Sequence, residues 1–143
     1  MESSTPPRDT AWAMSQENLD TIRAFYEAYN RRDFDHLPKP LHPDIEVVPA
    51  GGQSPIKGAA RVRAWMEPDA FESQVIELLD LRVVGEKVLV HVRAKIRGAS
   101  SGIEIEPLFW AVWTFNEAGI TTRVEIYLDH QEADALEAAG LSE

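Results

Sequence analysis

The sequence predicts an α+β domain in which N-terminal helices pack on a curved antiparallel meander sheet and a short helix ends the chain. Two segments in the first half carry apolar residues at spacings of three and four, whereas apolar and polar residues alternate from residue 73 onward. These two periods are typical of amphipathic helices and half-buried strands, respectively. The long strands are separated only by "GE", "GASSG" and "NEAG", which favours a meander of hairpins. Helices that precede such a meander must cover one face of its sheet.

The N-terminal part is predicted to hold a tail and one amphipathic helix. Residues 1–14 are rich in Ser, Thr and Pro and are expected to form a flexible tail. Ser15 is expected to cap a helix that runs to about Arg32. Its apolar stripe consists of Leu19, Ile22, Tyr26 and Tyr29, with Phe25 beside it.

Shorter elements are predicted between this helix and the sheet. "DFDHLPKPLHPD" is expected to form one helical turn that is cut off by prolines, and "DIEVVPA" a strand. "GGQSP" is expected to be a loop, and "GAARVRAWM" a short helix that buries Val62, Trp65 and Met66.

The meander and the last helix give the clearest local patterns. The predicted strands are "SQVIELLDLRVV", "KVLVHVRAKIR", "IEIEPLFWAVWTF" and "ITTRVEIYLD". In the second strand, Val88, Val90, Val92, Ala94 and Ile96 share one face, whereas Leu89, His91, Arg93, Lys95 and Arg97 share the other. "QEADALEAAG" is expected to be a terminal helix that ends at Gly140.

The composition excludes several classes of function. The 143 residues suit one domain, and the absence of cysteine excludes disulfides, thiolate nucleophiles and cysteine metal sites. The net charge of -10 argues against binding to nucleic acid or to an anionic membrane surface. No apolar run approaches the roughly 20 residues of a membrane span. The start "MESSTPPRDT" has no features of a secretory signal, so a cytoplasmic protein is expected.

Six stretches, in their order along the chain, resemble a known family. They are "SQENLDTIRAFYEAYNRRDFD", "HPDIEV", "KGAARVRAW", "RGASSGIEIE", "AVWTF" and "RVEIYLDHQEADALEAAGLSE". Together they resemble the SnoaL-like branch of the nuclear-transport-factor-two-like superfamily, whose fold ketosteroid isomerases and limonene epoxide hydrolases share. The resemblance implies one domain over residues 15–143, shaped as a cone-like barrel around a largely apolar cavity. It also implies a homodimer, and it leaves the function open, because this fold hosts enzymes, binders and adaptors.

The residues do not support ketosteroid isomerase chemistry. That mechanism, which the resemblance raises as a possibility, requires a carboxylate base and a Tyr and Asp that hold the enolate oxygen. The matching positions here are Val48 or its neighbour, Phe25 and Ala111, and none of these side chains can transfer a proton. Tyr26 could replace only the tyrosine.

The best candidates for chemistry lie in "RVEIYLDH", where Arg123, Glu125 and Tyr127 share one face of a strand. Glu125 could act as an acid or base in a cavity, with Arg123 and Tyr127 orienting a substrate. The alternative is a solvated strand pair of little energetic consequence. Which face enters the cavity stays open, because "NEAG" leaves the register ambiguous by one residue. Asp129 is expected to cap the last helix.

Ligand-binding candidates are mostly aromatic. Trp113 shares a face with Phe109, Ala111 and Phe115, and this face could line a pocket for a flat apolar ligand or simply pack in the core. Trp65 and Tyr29 have the same two interpretations, and Glu46 could reach the cavity mouth. The four histidines show no metal-binding spacing, so neither a metal nor a cofactor is expected, and His91 is placed on the outer face.

Two functions remain on the sequence alone. The first is a cofactor-free acid–base enzyme, of cyclase, isomerase or hydrolase type, acting on a small hydrophobic molecule. The second is a non-catalytic ligand-binding or dimeric adaptor domain of the same fold. The direction in which Arg123, Glu125 and Tyr127 point distinguishes them.

Overall fold

A computed structural model describes residues 7–37, 39, 41–66, 71–98 and 100–141, with the backbone alone at 7–14 and 71–73. The helices are α1 (Pro7–Asn30), α2 (Ala59–Met66) and α3 (Glu132–Ala139), with 3-10 turns at Phe34–His36 and Asp129–Gln131. The strands are β1 (Glu46–Val48), β2 (Ile56–Lys57), β3 (Phe71–Val84), β4 (Lys87–Gly98), β5 (Glu104–Ile105), β6 (Leu108–Phe115) and β7 (Thr121–Leu128). Every predicted helix and hairpin is therefore present.

The start of α1 differs from the prediction. The helix begins at Pro7, so Ser15 lies inside it and the prediction that Ser15 caps it is wrong. Proline is well suited to a first helical position, because its missing N–H would be unpaired there anyway. No further proline and no glycine interrupts the chain before Asn30. Residues 1–6 of the predicted tail lie outside the described residues.

The strands form one curved, mixed sheet in the order β2-β1-β7-β6-β4-β3, with β5 paired to β4. The meander β3–β4–β6–β7 is antiparallel throughout, as predicted. The sheet becomes mixed because β1 joins β7 in parallel, with Glu46 opposite Arg123. The path ends at β2 and β3, so the described sheet is open on one side, which agrees with a cone-shaped α+β fold.

The predicted strand "IEIEPLFWAVWTF" is divided into β5 and β6. Residues Glu106 and Pro107 separate the two pieces. Proline has no N–H to give to a ladder, so a strand interior that contains it is interrupted. The Pro107 carbonyl still accepts the Ala94 N–H at 2.9 Å, which keeps the chain beside β4.

Each face of the sheet is covered by different helices. The concave face of β4 carries Val88, Val90, Val92 and Ala94, all at most 5% exposed, and packs with α1 and α2 as predicted. The convex face is partly covered by α3, which is why Leu89 is buried on the face that otherwise carries polar residues.

The two short helices, α2 and α3, bear on the predicted burial of α2 and the predicted end of α3. Val62 and Met66 of α2 are buried as predicted, but Trp65 is 41% exposed, so its predicted burial is wrong. A helix of only eight residues presents one narrow stripe to the sheet, and Trp65 lies beside that stripe. Gly140 ends α3 in a left-handed conformation at φ +95°, as predicted.

Candidate functional site: an apolar cavity

A cavity of about 520 Å³ lies between α1, α2 and the concave face of the sheet. Its walls come from α1 and α2, the segments before and after β1, and strands β1, β3, β4, β6 and β7. The lining residues are Phe25, Tyr26, Tyr29, Leu41, Ile45, Val47, Pro49, Ala50, Gln53, Val62, Trp65, Met66, Gln74, Ile76, Val92, Ala94, Phe109, Ala111, Trp113, Val124, Ile126 and Leu128. Its wall is therefore almost entirely apolar.

Strand β7 turns its apolar side to this cavity. Val124, Ile126 and Leu128 line it, so the alternating residues Arg123 and Glu125 project from the opposite face. The hairpin register agrees, because Val124 lies opposite the cavity residue Trp113. A register irregularity between Thr114 and Phe115 determines this pairing, and it could not be inferred from "NEAG".

The three catalytic candidates are brought together on the outer face, away from the cavity. Arg123 Nε lies 3.5 Å from Glu125 Oε1, and the Tyr127 hydroxyl donates to Glu125 Oε2 at 3.2 Å. Arg123 also forms an ion pair and hydrogen bond with Glu46. Glu46 is thereby placed on the outer face too, and the expectation that it reaches the cavity mouth is wrong, because its pairing with Arg123 across the parallel strands fixes its direction. A catalytic role for Arg123, Glu125 and Tyr127 stays a prediction.

Tyr127 belongs to this outer network, and the network changes the pKa of its hydroxyl. Burial first, and the neighbouring Glu125 charge second, raise the pKa of Tyr127 to about 12. A protonated phenol can donate to the Glu125 carboxylate, so the two groups stabilise each other as a neutral donor and a charged acceptor.

One end of the cavity is an aromatic wall. The Trp113 ring centroid lies 5.1 Å from that of Phe25 and 5.8 Å from that of Tyr26, both in edge-on arrangements. Tyr29 continues the wall along α1, with its centroid 6.4 Å from that of Tyr26. Trp113, Phe109 and Tyr29 therefore lie in the cavity wall, where the sequence placed ligand-binding candidates.

The two cavity tyrosines are neutral over the physiological pH range. Burial raises the pKa of Tyr26 well above its ordinary value, and the Trp113 indole beside it counteracts only part of this effect. Burial also raises the pKa of Tyr29, against the opposing charge of Arg32. Both hydroxyls are consequently poor proton donors in an acid–base reaction but remain available for hydrogen bonds.

The cavity opens beside Trp65 and Gln53, both of which line it and are exposed. Trp65 is thus a residue of the mouth rather than of the core. The sequence marked it as a ligand-binding candidate, and that role stays a prediction.

Two polar atoms of lining residues are enclosed by neighbouring side chains and do not face the open cavity. Gln74 Oε1 has no hydrogen bond among the described residues, and the Trp113 Nε1–H lies beside the Tyr26 hydroxyl, whose pKa it lowers. Sequence reasoning missed Gln74, because a glutamine in an alternating strand gives no sign of pointing inward. It also did not name Val124, Ile126 and Leu128 as lining residues. Their spacing of two within "RVEIYLDH" was the signal that could have found them, because it places all three on one face of the strand.

The positions matching the isomerase residues have no acid–base chemistry in the structure either. Phe25 and Ala111 line the cavity, whereas Val48 lies on the outer face and Val47 lines the cavity in its place. Among the lining residues described, the only titratable side chains are Tyr26 and Tyr29.

The outer face also holds His91, as predicted. Its ring stacks on Trp110 with centroids 3.9 Å apart, and Nε2 lies 3.1 Å from Asp129 Oδ1. Asp129 therefore binds His91, and the prediction that it caps the last helix is wrong, since no side chain caps α3 at Gln131. Within the described part of the chain, no group of three or more His, Asp or Glu side chains is arranged to hold a metal ion.

Comparison with known families agrees with this architecture. Residues 22–124 match the family model of the SnoaL-like domain, and this span is well over half of the chain. The chain belongs to the SnoaL-like domain family. No curated protein matches the sequence significantly. Among the residues that the structure describes, no helix has the length and apolar content that a membrane span requires.

Solved structures share the SnoaL-like fold at low identity. SalBIII, an epoxide hydrolase/cyclase-like enzyme with a role in pyran ring formation in polyether salinomycin, is 15% identical with a TM-score of 0.72 over 81% of this chain and 93% of its own. An LEH-like epoxide hydrolase of Mycobacterium tuberculosis is 18% identical with a TM-score of 0.68, over 89% and 94%. RV0760c of the same organism, in complex with estradiol-17β-hemisuccinate, is 14% identical with a TM-score of 0.68, over 80% and 95%. These likenesses concern the fold and not the activity.

Proposed function

We propose that this SnoaL-like protein binds a small, flat, apolar molecule in its cavity and releases it chemically unchanged. The observation that carries the proposal is the cavity of about 520 Å³, whose described wall is apolar and aromatic and has no carboxylate, histidine, lysine or arginine. Concave, mostly apolar sites of this size are typical of small-molecule binding.

The shape of the aromatic wall supports a flat ligand. Phe25, Tyr26 and Trp113 meet edge to face, and Phe109 lies on the same strand face as Trp113. Ring systems prefer offset or edge-on contacts with such a wall, which add to the free energy gained from burying apolar surface. RV0760c, in complex with estradiol-17β-hemisuccinate, shows that a domain of this fold accepts a flat polycyclic molecule.

The placement of the acidic candidates favours binding over acid–base catalysis. A general acid or base must come within hydrogen-bond distance of the reacting group. Glu125 is held by Arg123 and Tyr127 on the other side of the sheet from the cavity. The alternative of a cofactor-free enzyme therefore has no support from this strand.

The proposal is tested by calorimetry with a flat hydrocarbon probe and a variant that fills the cavity. Ala111 lines the cavity and is only 4% exposed, so Ala111→Phe places a ring inside the ligand space. Val75→Phe is the matched control, because Val75 is 41% exposed on the outer side of β3. We expect the wild type and Val75→Phe to bind 2-ethylnaphthalene, and Ala111→Phe to lose at least tenfold in affinity.

Two outcomes contradict the proposal. The first is binding by Ala111→Phe with unchanged affinity while its circular dichroism and melting temperature show a folded protein. The second is recovery of a chemically altered probe, detected by mass spectrometry after long incubation. Ala94→Leu, at a second cavity position, repeats the test if Ala111→Phe does not fold.

A homodimer and a cytoplasmic location remain predictions for this protein. Light scattering coupled to size exclusion measures the assembly directly, and a mass of one chain at high concentration would contradict the dimer. The net charge of -10 supports the further expectation that nucleic acid is not a partner.

A further inference from the structure

The hairpin of β4 and β5 exposes three isoleucines beside the cavity. Ile103 and Ile105 are 63% and 53% exposed, the highest values among the exposed large hydrophobic residues of the described chain. Ile96, which pairs with Ile105, is half-buried. Single apolar side chains on a surface are ordinary, whereas a contiguous group of them is typical of a ligand groove or an interaction site. These three residues are called the isoleucine strip below.

Strand pairing places the isoleucine strip on the cavity side of the sheet. Gln74, Ile96 and Ile105 lie opposite one another across β3, β4 and β5, and side chains paired in this way share a face. Gln74 lines the cavity, which identifies that face. The hairpin continues to Gly98, whose N–H donates to the Ile103 carbonyl at 3.0 Å, so alternation turns Ile103 to the same side.

The other face of the same hairpin is charged. Arg97 and Glu104 are paired next to Ile96 and Ile105, and they form an ion pair on the outer side. Lys95, two residues before Arg97, is also exposed there. Charged groups keep that outer face hydrated, so the isoleucine strip is the face from which a bound partner displaces water favourably.

The isoleucine strip begins where the cavity wall ends. Ala94 lines the cavity, and Ile96 is the next residue of β4 on the same face, about 7 Å further along the strand. Phe109, another lining residue, pairs with Val92, which is about 13 Å from Ile96 by the same rise. With C–C bonds of about 1.5 Å, an alkyl chain of about ten carbons extends from a ring beside Phe109 to the strip.

The size of the isoleucine strip suits a ligand chain better than a protein partner. Three side chains are far smaller than the roughly 800 Å² that each partner buries in a stable protein interface. An alkyl chain, in contrast, needs only a narrow apolar track and brings no polar group to desolvate. Each methylene that leaves water strengthens binding by about fourfold.

We propose that the ligand has two parts, a flat ring system inside the cavity and an uncharged, unbranched alkyl tail that leaves past Gln74 and lies on the isoleucine strip. This inference rests on the proposed function, because it assumes that the cavity binds a ring at all. The cavity wall provides affinity for the ring, whereas Ile96, Ile103 and Ile105 determine the preference for a long tail.

The test lengthens the tail on one ring. The probes are 2-ethylnaphthalene, 2-hexylnaphthalene and 2-decylnaphthalene, each supplied from a silicone reservoir that holds its free concentration below its solubility. The amount bound to the protein is measured by extraction and gas chromatography. We expect 2-decylnaphthalene to bind at least about a hundredfold more tightly than 2-ethylnaphthalene, because several methylenes leave water on the strip.

Polar substitutions assign this preference to the isoleucine strip. The double variant Ile103→Ser/Ile105→Ser should lose at least about tenfold in affinity for 2-decylnaphthalene and keep its affinity for 2-ethylnaphthalene within about twofold. Val75→Ser/Leu79→Ser is the matched control, because both residues are exposed on β3 outside the strip, at 41% and 39%. It should leave all three affinities unchanged.

The outcomes separate this inference from the function on which it rests. Equal wild-type affinity for 2-ethylnaphthalene and 2-decylnaphthalene overturns the inference and leaves ring binding intact. A tail preference that Ile103→Ser/Ile105→Ser keeps, or that Val75→Ser/Leu79→Ser loses equally, also overturns it. If the double variant dissociates an oligomer but keeps the tail preference, the strip binds a second copy of the chain and the inference is wrong. Binding of no probe overturns the proposed function as well. Circular dichroism checks folding, and Ile105→Ser alone repeats the test if the double variant does not fold.

Discussion

Asn30, the last residue of α1, pairs with the backbone of Ile76 through both ends of its carboxamide. Its Nδ2 donates to the Ile76 carbonyl at 2.9 Å, and its Oδ1 accepts the Ile76 N–H at 2.8 Å. Strand β3 is an end of the sheet path, so these backbone groups have no neighbouring strand to bind on that side. A single side chain thus replaces a strand partner and fixes the helix over the cavity.

Replacing Asn30 should destabilise the fold more than any neighbouring surface change. Asn30→Ala leaves one N–H and one carbonyl of Ile76 without their partner, and we expect the free energy of unfolding to fall by about 2 kcal/mol. Urea denaturation measures the change. Arg31→Ala, at the next, exposed residue, is the control and should change stability by less than about 0.5 kcal/mol. Equal effects of the two substitutions would show that the carboxamide pair contributes nothing.

Gly119 in the β6–β7 turn combines a left-handed backbone with a close neighbour. Its φ is +75°, and a Cβ there would lie 2.6 Å from Lys39 Nζ. Lys39 also contacts the Gly119 carbonyl and Glu17 Oε2, each at 3.4 Å, so it connects the turn to α1. Gly119→Ala should therefore cost about 1 kcal/mol for the backbone and somewhat more for displacing Lys39.

Gly85 provides the matched control for that substitution. It has φ +62° and open space around its Cβ position, so Gly85→Ala measures the backbone cost alone. In a Lys39→Met background the costs of Gly119→Ala and Gly85→Ala should become equal, because the clash and the ammonium contacts are both gone. A Gly119→Ala cost that Lys39→Met leaves unchanged would exclude Lys39 as its cause.

The three tyrosines should make the protein less stable at alkaline pH. Burial raises the pKa of Tyr26, Tyr29 and Tyr127, the last to about 12, and the chain has no other tyrosine. Above about pH 10 the unfolded chain loses phenolic protons that the folded protein keeps. The folded state then binds more protons than the unfolded state, so the free energy of unfolding falls as pH rises from about 10 to 12.

Phenolate absorbance tests this directly. At about pH 10.5 the folded protein should show far less phenolate than the same protein in concentrated urea. Tyr127→Phe should reduce the alkaline loss of stability, because one of the three shifted groups is removed. Three phenolates that titrate with an ordinary pKa in the folded protein would contradict the prediction.

The sequence was sufficient wherever the pattern is local. The alternation in β4 predicted that Val88, Val90 and Val92 face the core, and Gly140 marked the end of α3, because period and backbone preference depend on neighbouring residues alone. The start of α1 was missed because Ser15 is a good cap that a longer helix overrode. Cap preference is weak against an uninterrupted helical run.

The sequence was insufficient wherever a side chain's direction depends on distant pairing. The face of β7 is set by the register irregularity after Thr114 and by β1, whose Glu46 pairs with Arg123 from 77 residues away. A shift of one residue would have placed Glu125 in the cavity and Val124 outside. That Gln74 lines the cavity also could not be inferred before the fold placed β3 beside β4.

Glu125 gives the sharpest test of that register. Because its carboxylate lies on the outer face with Arg123 and Tyr127, Glu125→Gln should leave the affinity of 2-ethylnaphthalene for the cavity within about twofold of wild type. The same substitution should lower the pKa of Tyr127, since the Glu125 charge and hydrogen bond both help to raise it. Calorimetry and phenolate absorbance of one variant thus report on the two faces separately. A large loss of affinity with an unchanged Tyr127 titration would place Glu125 in the cavity and restore it as the acid–base candidate.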